Sequence, residues 1–403
     1  MARRDEGDWG HATELDDVSG EVAIAGIGEA EYSKGSGRTA RDLAAEAAER
    51  AIADAGLTPA DIDGLTYSGG FPDFDAAAFH EHFGTSHDLF ESGEGGGMAW
   101  AALAPHVAAH AIRDGKARHV LNVFAVAWAT QRSQMTAGPG EKHAENALKA
   151  NLEVPFGWFP QPVYFATIAR RHMHEFGTTP EQLGAIAVAC RRHAQRNPQA
   201  LMRDKPLTLD DYLDRPLLVD PFRMEDCCLI SDGGAAFVTT TVERARDLPR
   251  PPVVVAGVGE GVSHTRSFWA QQPAFTSTPQ VFAAPPAFAM AGITPADVDV
   301  LTAYDPFTIV SLMQIEDMGF CAKGEGGPFV EGTRLFHDGG GLPFNTHGGL
   351  LSHAYVLGIA HVVETVKQLR GDAGEAQVPD AEVGVYAGYS GPTATTLILR
   401  QDH

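Results

Sequence analysis

The chain has 403 residues, a formal net charge of −22 and four cysteines. This excess of acid argues against a nucleic-acid-binding protein, which needs basic surface to displace counterions, and against adhesion to an anionic membrane surface. The few cysteines disfavour a disulfide-stapled secreted domain and favour a reducing, cytoplasmic setting.

The first segment in chain order, residues 1–19, is polar and charged and does not resemble a signal peptide. We therefore expect it to be a disordered lead-in. No uninterrupted apolar run in the sequence is long enough to span a bilayer.

The sequence then repeats itself. Residues 51–67 (AIADAGLTPADIDGLTY) and 287–303 (AFAMAGITPADVDVLTA) are identical at eleven of seventeen positions. A second pair, VAIAGIGE at 22–29 and VVVAGVGE at 253–260, precedes each copy in the same order. This self-similarity predicts a duplicated domain with halves at residues 20–250 and 251–403.

Each half begins with a β-branched run that ends in Gly-x-Gly and leads into an alanine-rich helix, predicted at Thr39–Ala55 in the first half. The other predicted elements are strands at Leu65–Ser68, Arg118–Val126, Ala235–Thr241, Leu301–Tyr304, Val383–Tyr386 and Thr395–Leu399, and helices at Met98–Asp114 and Leu350–Leu369. Because strands alternate with helices, we expect parallel pairing in a layered α/β fold. Residues from about 129 to 221 have no counterpart in the shorter second half and are predicted to form an inserted loop subdomain.

Two familiar kinds of site are disfavoured by the motifs. The Gly-x-Gly turns at Gly26 and Gly257 lack the third glycine of a dinucleotide-binding fingerprint, because Glu31 and Val262 stand in its place. The histidines match no standard ligand spacing and no CxxC pair is present, so we expect no metal on this chain.

The sequence resembles the thiolase superfamily, especially its sterol-carrier and lipid-transfer branch. Besides the repeated strand–helix start, the resemblance rests on DCCLISDGGAAFVTTTVERARDL at 226–248, YDPFTIVSLMQIEDMGFC at 304–321 and NTHGGLLSHAYVLGIAH at 345–361. It implies a thiolase fold, in which two similar βαβ-rich halves form a layered α/β/α/β/α core with an inserted loop subdomain.

The residues that carry thiolase chemistry are nevertheless replaced. Where the family has its nucleophilic cysteine, the turn ESGEGGGMAW at 91–100 offers Gly95 or its neighbour Glu94, and Gly388 stands in the position of the second cysteine. Glycine cannot accept an acyl group, so the resemblance excludes ordinary thiolase chemistry. None of Cys190, Cys227, Cys228 and Cys321 stands in either place, and we interpret them as buried, inert thiols.

Two tyrosines appear at the other motif positions. Tyr304 leads the YDPF motif, and Tyr355 replaces the histidine of the family's Gly-His-Pro motif. This exchange resembles the steroid side-chain retro-aldolases, and it implies cleavage of a steroid-like β-hydroxyacyl-CoA to a ketosteroid and propionyl-CoA, with the tyrosines as acid and base. Which tyrosine is the base stays open. Two alternatives also stay open, a thiolase-like enzyme acting on a non-steroid acyl-CoA and a non-catalytic acyl-CoA- or lipid-binding protein.

The resemblance also suggests binding residues and partners. Candidates for substrate binding or for stabilising an oxyanion are His347, Gly348, Gly349, Glu94, Gly95 and Gly388. Basic residues of the inserted region are candidates for binding coenzyme A, unless they form a solvated helix face: Arg170, Arg191, Arg192 and Arg196. CoA would enter as part of the substrate, with no separate cofactor. Relatives in this branch imply a homodimer joined by a small zinc-ribbon and OB-fold partner to give a heterotetramer, with any zinc on the partner.

Overall fold

The structure is a computed structural model that describes residues 9–132, 149–158, 161–265 and 272–402. Its strands are β1 (Gly10–Ala12), β2 (Val22–Glu29), β3 (Gly64–Tyr67), β4 (Phe90–Gly93), β5 (Val120–Ala127), β6 (Asp232–Thr241), β7 (Val253–Ser263), β8 (Val300–Ala303), β9 (Val383–Tyr389) and β10 (Thr393–Gln401). Its α-helices are α1 (Ala40–Asp54), α2 (Ala76–Phe83), α3 (Gly97–Arg113), α4 (Trp128–Arg132), α5 (Gln161–Phe176), α6 (Pro180–Ala194), α7 (Leu209–Leu213), α8 (Val242–Arg246), α9 (Gln280–Ala291), α10 (Thr308–Asp317), α11 (Gly326–Val330), α12 (Gly349–Ser352) and α13 (Ile359–Arg370). Short 3₁₀ or π turns lie at Pro59–Asp61, Lys149–Glu153, Val154–Phe156, Met224–Asp226, Pro295–Asp297 and Gly374–Ala376.

The strands form one sheet in the order β4-β3-β5-β6-β2-β7-β10-β9-β8, with β1 added beside β7. In the first half β2, β6, β5 and β3 are successive neighbours, joined by two antiparallel pairings and then a parallel one. The second half repeats this arrangement with β7, β10, β9 and β8. The sequence repeat is therefore also a repeat of topology, while the boundary near residue 250 stays a prediction.

The prediction of parallel pairing is only partly right. It is confirmed for β3 with β5 and for β8 with β9, but the strands nearer the middle of the sheet pair antiparallel. The reason is visible between β9 and β10, where residues 390–392 alone connect the strands. So short a connection forms a hairpin, and a hairpin joins antiparallel strands.

Helices cover the sheet in layers. The central helices α3 and α13 contact each other and strands of both halves, while α1 lies against β2 and β6, and α9 against β7 and β10. Nearly every residue of α13 is buried, as is most of α3. The alanine-rich sequence of α3 suits its buried position, because small side chains let neighbouring backbones approach closely on every side.

The two Gly-x-Gly pairs lie inside strands β2 and β7 rather than in turns, and they serve this layering. A Cβ atom on Gly26 or Gly28 would lie 2.3 Å from a backbone oxygen of α1, and one on Gly257 or Gly259 would lie 2.2 or 2.0 Å from a backbone oxygen of α9. The missing side chains therefore let each helix rest directly on the first strand of its half. This contact accounts for both glycine pairs without a dinucleotide.

The expectation of a disordered lead-in is wrong for residues 9–19. Strand β1 pairs with the end of β7, Trp9 packs edge-on against Phe282 with ring centroids 4.8 Å apart, and Val18 is fully buried. Apolar side chains within an otherwise polar stretch hold this segment to the sheet edge. Residues 1–8 lie outside the described residues.

The inserted subdomain lies between β5 and β6, where the second half has only its short hairpin. Helices α5 and α6 are its longest elements, and α6 packs against α10 and α12 of the second half. Part of the insertion, residues 133–148 and 159–160, lies outside the described residues. Within the described ranges, every helix is too short or too polar to cross a membrane.

Candidate active site

The two tyrosines singled out in the sequence meet each other. Tyr304 directly follows β8, and its backbone N–H donates to the carbonyl of Ala387 on β9 at 2.8 Å. Its phenol oxygen lies 2.7 Å from that of Tyr355, which is a hydrogen bond in which either phenol can be the donor. Tyr304 is buried and Tyr355 is partly exposed, so the pair can be reached from the side of Tyr355.

Tyr355 reaches this place because the helix predicted at Leu350–Leu369 is interrupted. The structure has α12 and α13 with residues 353–358 between them, and Leu357 adopts a left-handed φ of 54°. A Cβ atom on Gly358 would lie 1.6 Å from the phenol oxygen of Tyr386. Position 358 therefore has no room for a side chain, and in the interrupted stretch before it Tyr355 is turned towards Tyr304.

Both phenols are protonated at neutral pH. Burial raises the pKa of Tyr304 well above its ordinary range, and the neighbouring Tyr355 and Cys228 raise it further. Burial is also the main reason why the pKa of Tyr355 is raised, although its hydrogen bond with Tyr304 acts in the opposite direction. Two neutral phenols in contact can pass a proton between them without forming a stable phenolate.

The surroundings of the pair were only partly visible in the sequence. The ring of Trp128, the residue after β5, lies 4.9 Å from the ring of Tyr355. Cys228, interpreted as an inert buried thiol, lies close enough to raise the pKa of both tyrosines and is itself only partly buried. Burial raises the pKa of its thiol well above the usual value, which keeps it protonated. A protonated thiol is unreactive as a nucleophile, which fits the interpretation of Cys228 as inert. Cys228 nevertheless lies beside the tyrosine pair.

Gly348 and Gly349, two of the candidates for stabilising an oxyanion, lie at a helix start that packs against Asp305. The buried Asp305 carboxylate accepts the backbone N–H groups of Leu350 at 2.8 Å and Leu351 at 3.4 Å. A Cβ on Gly349 would lie 2.1 Å from the same carboxylate, and the N–H of Gly348 donates to the Asn345 carbonyl at 2.8 Å. These glycines thus allow the turn around Asp305, and a role in binding substrate stays a prediction.

His347 belongs to a cluster of three buried imidazoles. Its ring centroid lies 4.7 Å from that of His361 and 5.1 Å from that of His353, and His361 Nε2 lies 3.0 Å from the Asp305 carboxylate. Neither ring nitrogen of His347 or His353 has a hydrogen-bond partner among the described residues. His361 thus lies between His347 and Asp305 and contacts both. The oxyanion role of His347 stays a prediction.

This cluster predicts acid sensitivity. Burial lowers the pKa of His353 from 6.5 to about 4, so the unfolded chain binds more protons than the folded one below about pH 6.5. The free energy of unfolding should therefore fall as the pH drops from 6.5 towards 4, by about 3 kcal/mol for this residue at 1.36 kcal/mol per pKa unit. Urea unfolding at pH 7, 5.5 and 4.5 measures this. In His353→Phe, which has no group to titrate here, the free energy of unfolding should fall less steeply as the pH drops. An unchanged pH dependence in this variant would contradict the role of His353 in the acid sensitivity.

The positions of the two missing cysteines differ in surroundings. Glu94 and Gly95 are exposed just before α3, and Gly95 has a left-handed φ of 72°. Gly388 is buried, and a Cβ there would lie 2.3 Å from the Met98 carbonyl oxygen at the start of α3. The fold therefore leaves no room at Gly388 for the side chain of the second cysteine, and a role in substrate binding for these three residues is not tested by the geometry.

The four arginines proposed to bind CoA have protein partners. Arg170 pairs with Asp220, and Arg192 pairs with Asp338 at 2.9 Å. The buried Arg191 donates to Ser352 Oγ and to the Lys205 carbonyl, both at 2.9 Å.

Arg196 donates to the Arg192 carbonyl at 3.1 Å and, with His347, helps to line a surface pocket of about 400 Å³. Its position leaves it the best placed of the four to meet a ligand, and binding of CoA by any of them stays a prediction.

Comparison with known proteins shows which proteins this chain is similar to. Residues 260–401 match the family described as thiolase C-terminal domain-like. The chain is 38% identical over 395 residues to the steroid side-chain-cleaving aldolase of Thermomonospora curvata, covering 96% of this chain and 99% of that protein. It is 37% identical over 391 residues to the 17-hydroxy-3-oxo-4-pregnene-20-carboxyl-CoA lyase of Mycobacterium tuberculosis, covering 94% and 100% of the two chains.

Solved structures agree as well. The structure named Ltp2-ChsH2(DUF35) aldolase has a TM-score of 0.86 and 35% identity, covering 96% of this chain and 100% of that chain. Human mitochondrial 3-ketoacyl-CoA thiolase, with a TM-score of 0.66 and 13% identity over 95% of this chain and 99% of that chain, shows the fold alone. The chain therefore belongs to the thiolase superfamily, to its sterol-carrier and lipid-transfer branch, and within that branch to the group of the steroid side-chain-cleaving aldolases.

Proposed function

We propose that this protein is a carbon–carbon lyase that cleaves the side chain of a steroid-like β-hydroxyacyl-CoA by a retro-aldol reaction. The products are a ketosteroid and propionyl-CoA. The 2.7 Å hydrogen bond between the phenols of Tyr304 and Tyr355 carries the proposal, because it provides an acid and a base where neither thiolase cysteine is present. The two nearly full-length relatives, one an aldolase and the other a lyase by name, support it.

The tyrosine pair suits a proton relay. One phenol takes the proton of the substrate's tertiary hydroxyl while it passes its own proton to the other phenol, which releases its proton towards the α-carbon in the same step, so that neither oxygen carries two protons. The hydroxyl oxygen becomes the ketone oxygen, the bond between the ring carbon and the α-carbon breaks, and its electron pair moves into the thioester as an enolate. The proton that the second phenol releases ends on the α-carbon. Each tyrosine ends with one proton, so the pair is ready for the next turnover.

This relay predicts how the rate depends on pH. Because burial raises the pKa of both phenols, the pair is neutral throughout the neutral and mildly alkaline range. We expect kcat to stay level between about pH 7 and 9, since a lone phenolate base with an ordinary pKa near ~10 would instead give about a tenfold rise per pH unit. Steady-state rates in overlapping buffers measure this, and a tenfold rise per unit would contradict the relay.

The substrate class is tested with two thioesters. A 17-hydroxy steroid carrying a 20-carboxyl-CoA side chain should yield the 17-ketosteroid and propionyl-CoA, both detectable by mass spectrometry. A short aliphatic β-hydroxyacyl-CoA should be cleaved far more slowly. Equal cleavage of both would favour a thiolase-like enzyme acting on non-steroid substrates. Tight binding of the steroid thioester without cleavage would favour an acyl-CoA- or lipid-binding protein.

We also propose a partner. The similar solved structure is an aldolase named together with a DUF35 protein, which supports a small DUF35-type partner for this chain. In the proposed assembly two copies of this chain form a homodimer, each copy binds one partner, and any zinc belongs to the partner. Co-expression followed by light scattering should give a heterotetramer. A monomer, or a homodimer that does not bind the partner, would contradict the proposal.

A further inference from the structure

Tyr355 is held by an unusual arrangement of its own backbone. Its peptide groups lie in the interruption between α12 and α13, where helical hydrogen bonds do not support them. Both groups instead meet one side chain: the N–H of Tyr355 donates to Ser231 Oγ at 2.8 Å, and that hydroxyl donates to the Tyr355 carbonyl at 3.3 Å. A single hydroxyl thus fixes the peptide from which the phenol extends.

Ser231 is itself well anchored. It is fully buried and directly precedes β6, a central strand of the first half. The next residue, Asp232, accepts hydrogen bonds from the backbone N–H of Ser36 at 2.7 Å and of Thr130 at 3.0 Å. The hydroxyl therefore links a rigid part of the first half to the interrupted helix of the second half.

We propose that Ser231 is a positioning residue for the reaction, because it sets the distance between the phenol of Tyr355 and that of Tyr304. This inference rests on the proposed function. Proton transfer between two oxygens requires a hydrogen-bond distance, and a displacement of about 1 Å can lower a rate by about 100-fold. Trp128 contacts the ring of Tyr355 but makes no hydrogen bond that fixes its peptide.

Ser231→Ala tests the proposal through turnover. We expect kcat to fall by about 10- to 100-fold while KM changes less than about threefold, because the substrate contacts remain. In a Tyr355→Phe background the same change should have little further effect, since the phenol that Ser231 positions is already gone. A kcat above half of the wild-type value, or an equal loss in both backgrounds, would overturn the inference.

Two additions keep the test decisive. The Ser231→Cys variant keeps nearly the same side-chain shape but has a weaker hydrogen-bonding group. It is used in place of Ser231→Ala if the alanine variant does not fold. An unchanged kcat in Ser231→Cys would overturn the inference. The matched control is Ser311→Ala, which removes a buried hydroxyl that has no hydrogen-bond partner among the described residues. Its kcat should equal that of the wild type.

A readout independent of turnover separates this inference from the proposed function. Amide hydrogen exchange in the segment 353–358 should become at least about tenfold faster in Ser231→Ala, because the Tyr355 N–H loses its acceptor. Unchanged exchange would refute the positioning role. Wild-type protein that cleaves neither thioester would refute the proposed function, while the exchange measurement would still decide whether Ser231 holds Tyr355.

Discussion

Replacing Tyr304 or Tyr355 by phenylalanine should lower kcat by about 10²- to 10⁴-fold, the range that general acid–base groups contribute. Phenylalanine keeps the ring, including the contact of Trp128 with the ring at position 355, and removes only the phenol oxygen that passes the proton. The loss should therefore appear in kcat with the fold intact. Product formation followed by mass spectrometry measures it, and thermal unfolding shows that the variants are folded.

The same pair allows a stricter test. If the two phenols act as one relay, Tyr304→Phe combined with Tyr355→Phe should be no slower than the slower single variant. Tyr212→Phe is the matched control, because Tyr212 is also buried but its phenol donates to Asp226 at 2.8 Å. A single variant that keeps more than about a third of the wild-type kcat, or losses that multiply in the double variant, would contradict the relay.

The sequence was most informative where chemistry is tied to a motif position. Tyr304 could be placed because YDPF resembles an active-site motif of the family, and the strand predicted to lead into it is found at Val300–Ala303. The duplication was visible as identical residues and reappears as repeated strand order. Such features follow from local apolar patterns, which depend little on distant parts of the chain.

The features that the sequence did not reveal depend on contacts between distant residues. Helical periodicity continues through residues 353–358, and only Gly358 signals an interruption; a glycine is needed there because a Cβ would collide with the phenol of Tyr386. Gly348 and Gly349 were candidates for stabilising an oxyanion, but the sequence did not show that the Asp305 carboxylate lies at this helix start and accepts the N–H of Leu350. Arg191 was a candidate for binding CoA because of its charge, and the sequence did not show that it lies buried against Ser352; CoA binding by Arg191 stays a prediction. A single sequence does not show which distant group will occupy a donor.

The glycine pairs carry the second large prediction. Gly259→Ala should lower the free energy of unfolding by about 3 kcal/mol or more, at the upper end of the usual range for overpacked cores. The added Cβ would lie 2.0 Å from the Ala283 carbonyl oxygen, which is helix backbone and cannot move aside as a flexible side chain could. Helix α9 would have to lift away from β7. Urea unfolding of the variant and of the wild type measures the difference.

The equivalent change in the other half should behave alike. A Cβ on Gly28 would lie 2.3 Å from both the Ala47 oxygen and the Ala51 nitrogen of α1, so Gly28→Ala should be destabilised to a similar degree. Gly70→Ala is the control, because a Cβ there meets no atom within 4 Å. Variants at Gly28 and Gly259 that stay within about 0.5 kcal/mol of the wild type, the usual range for surface substitutions, would contradict this role. Equal losses in both would show that the duplicated Gly-x-Gly is preserved in both halves by the same contact between helix and strand.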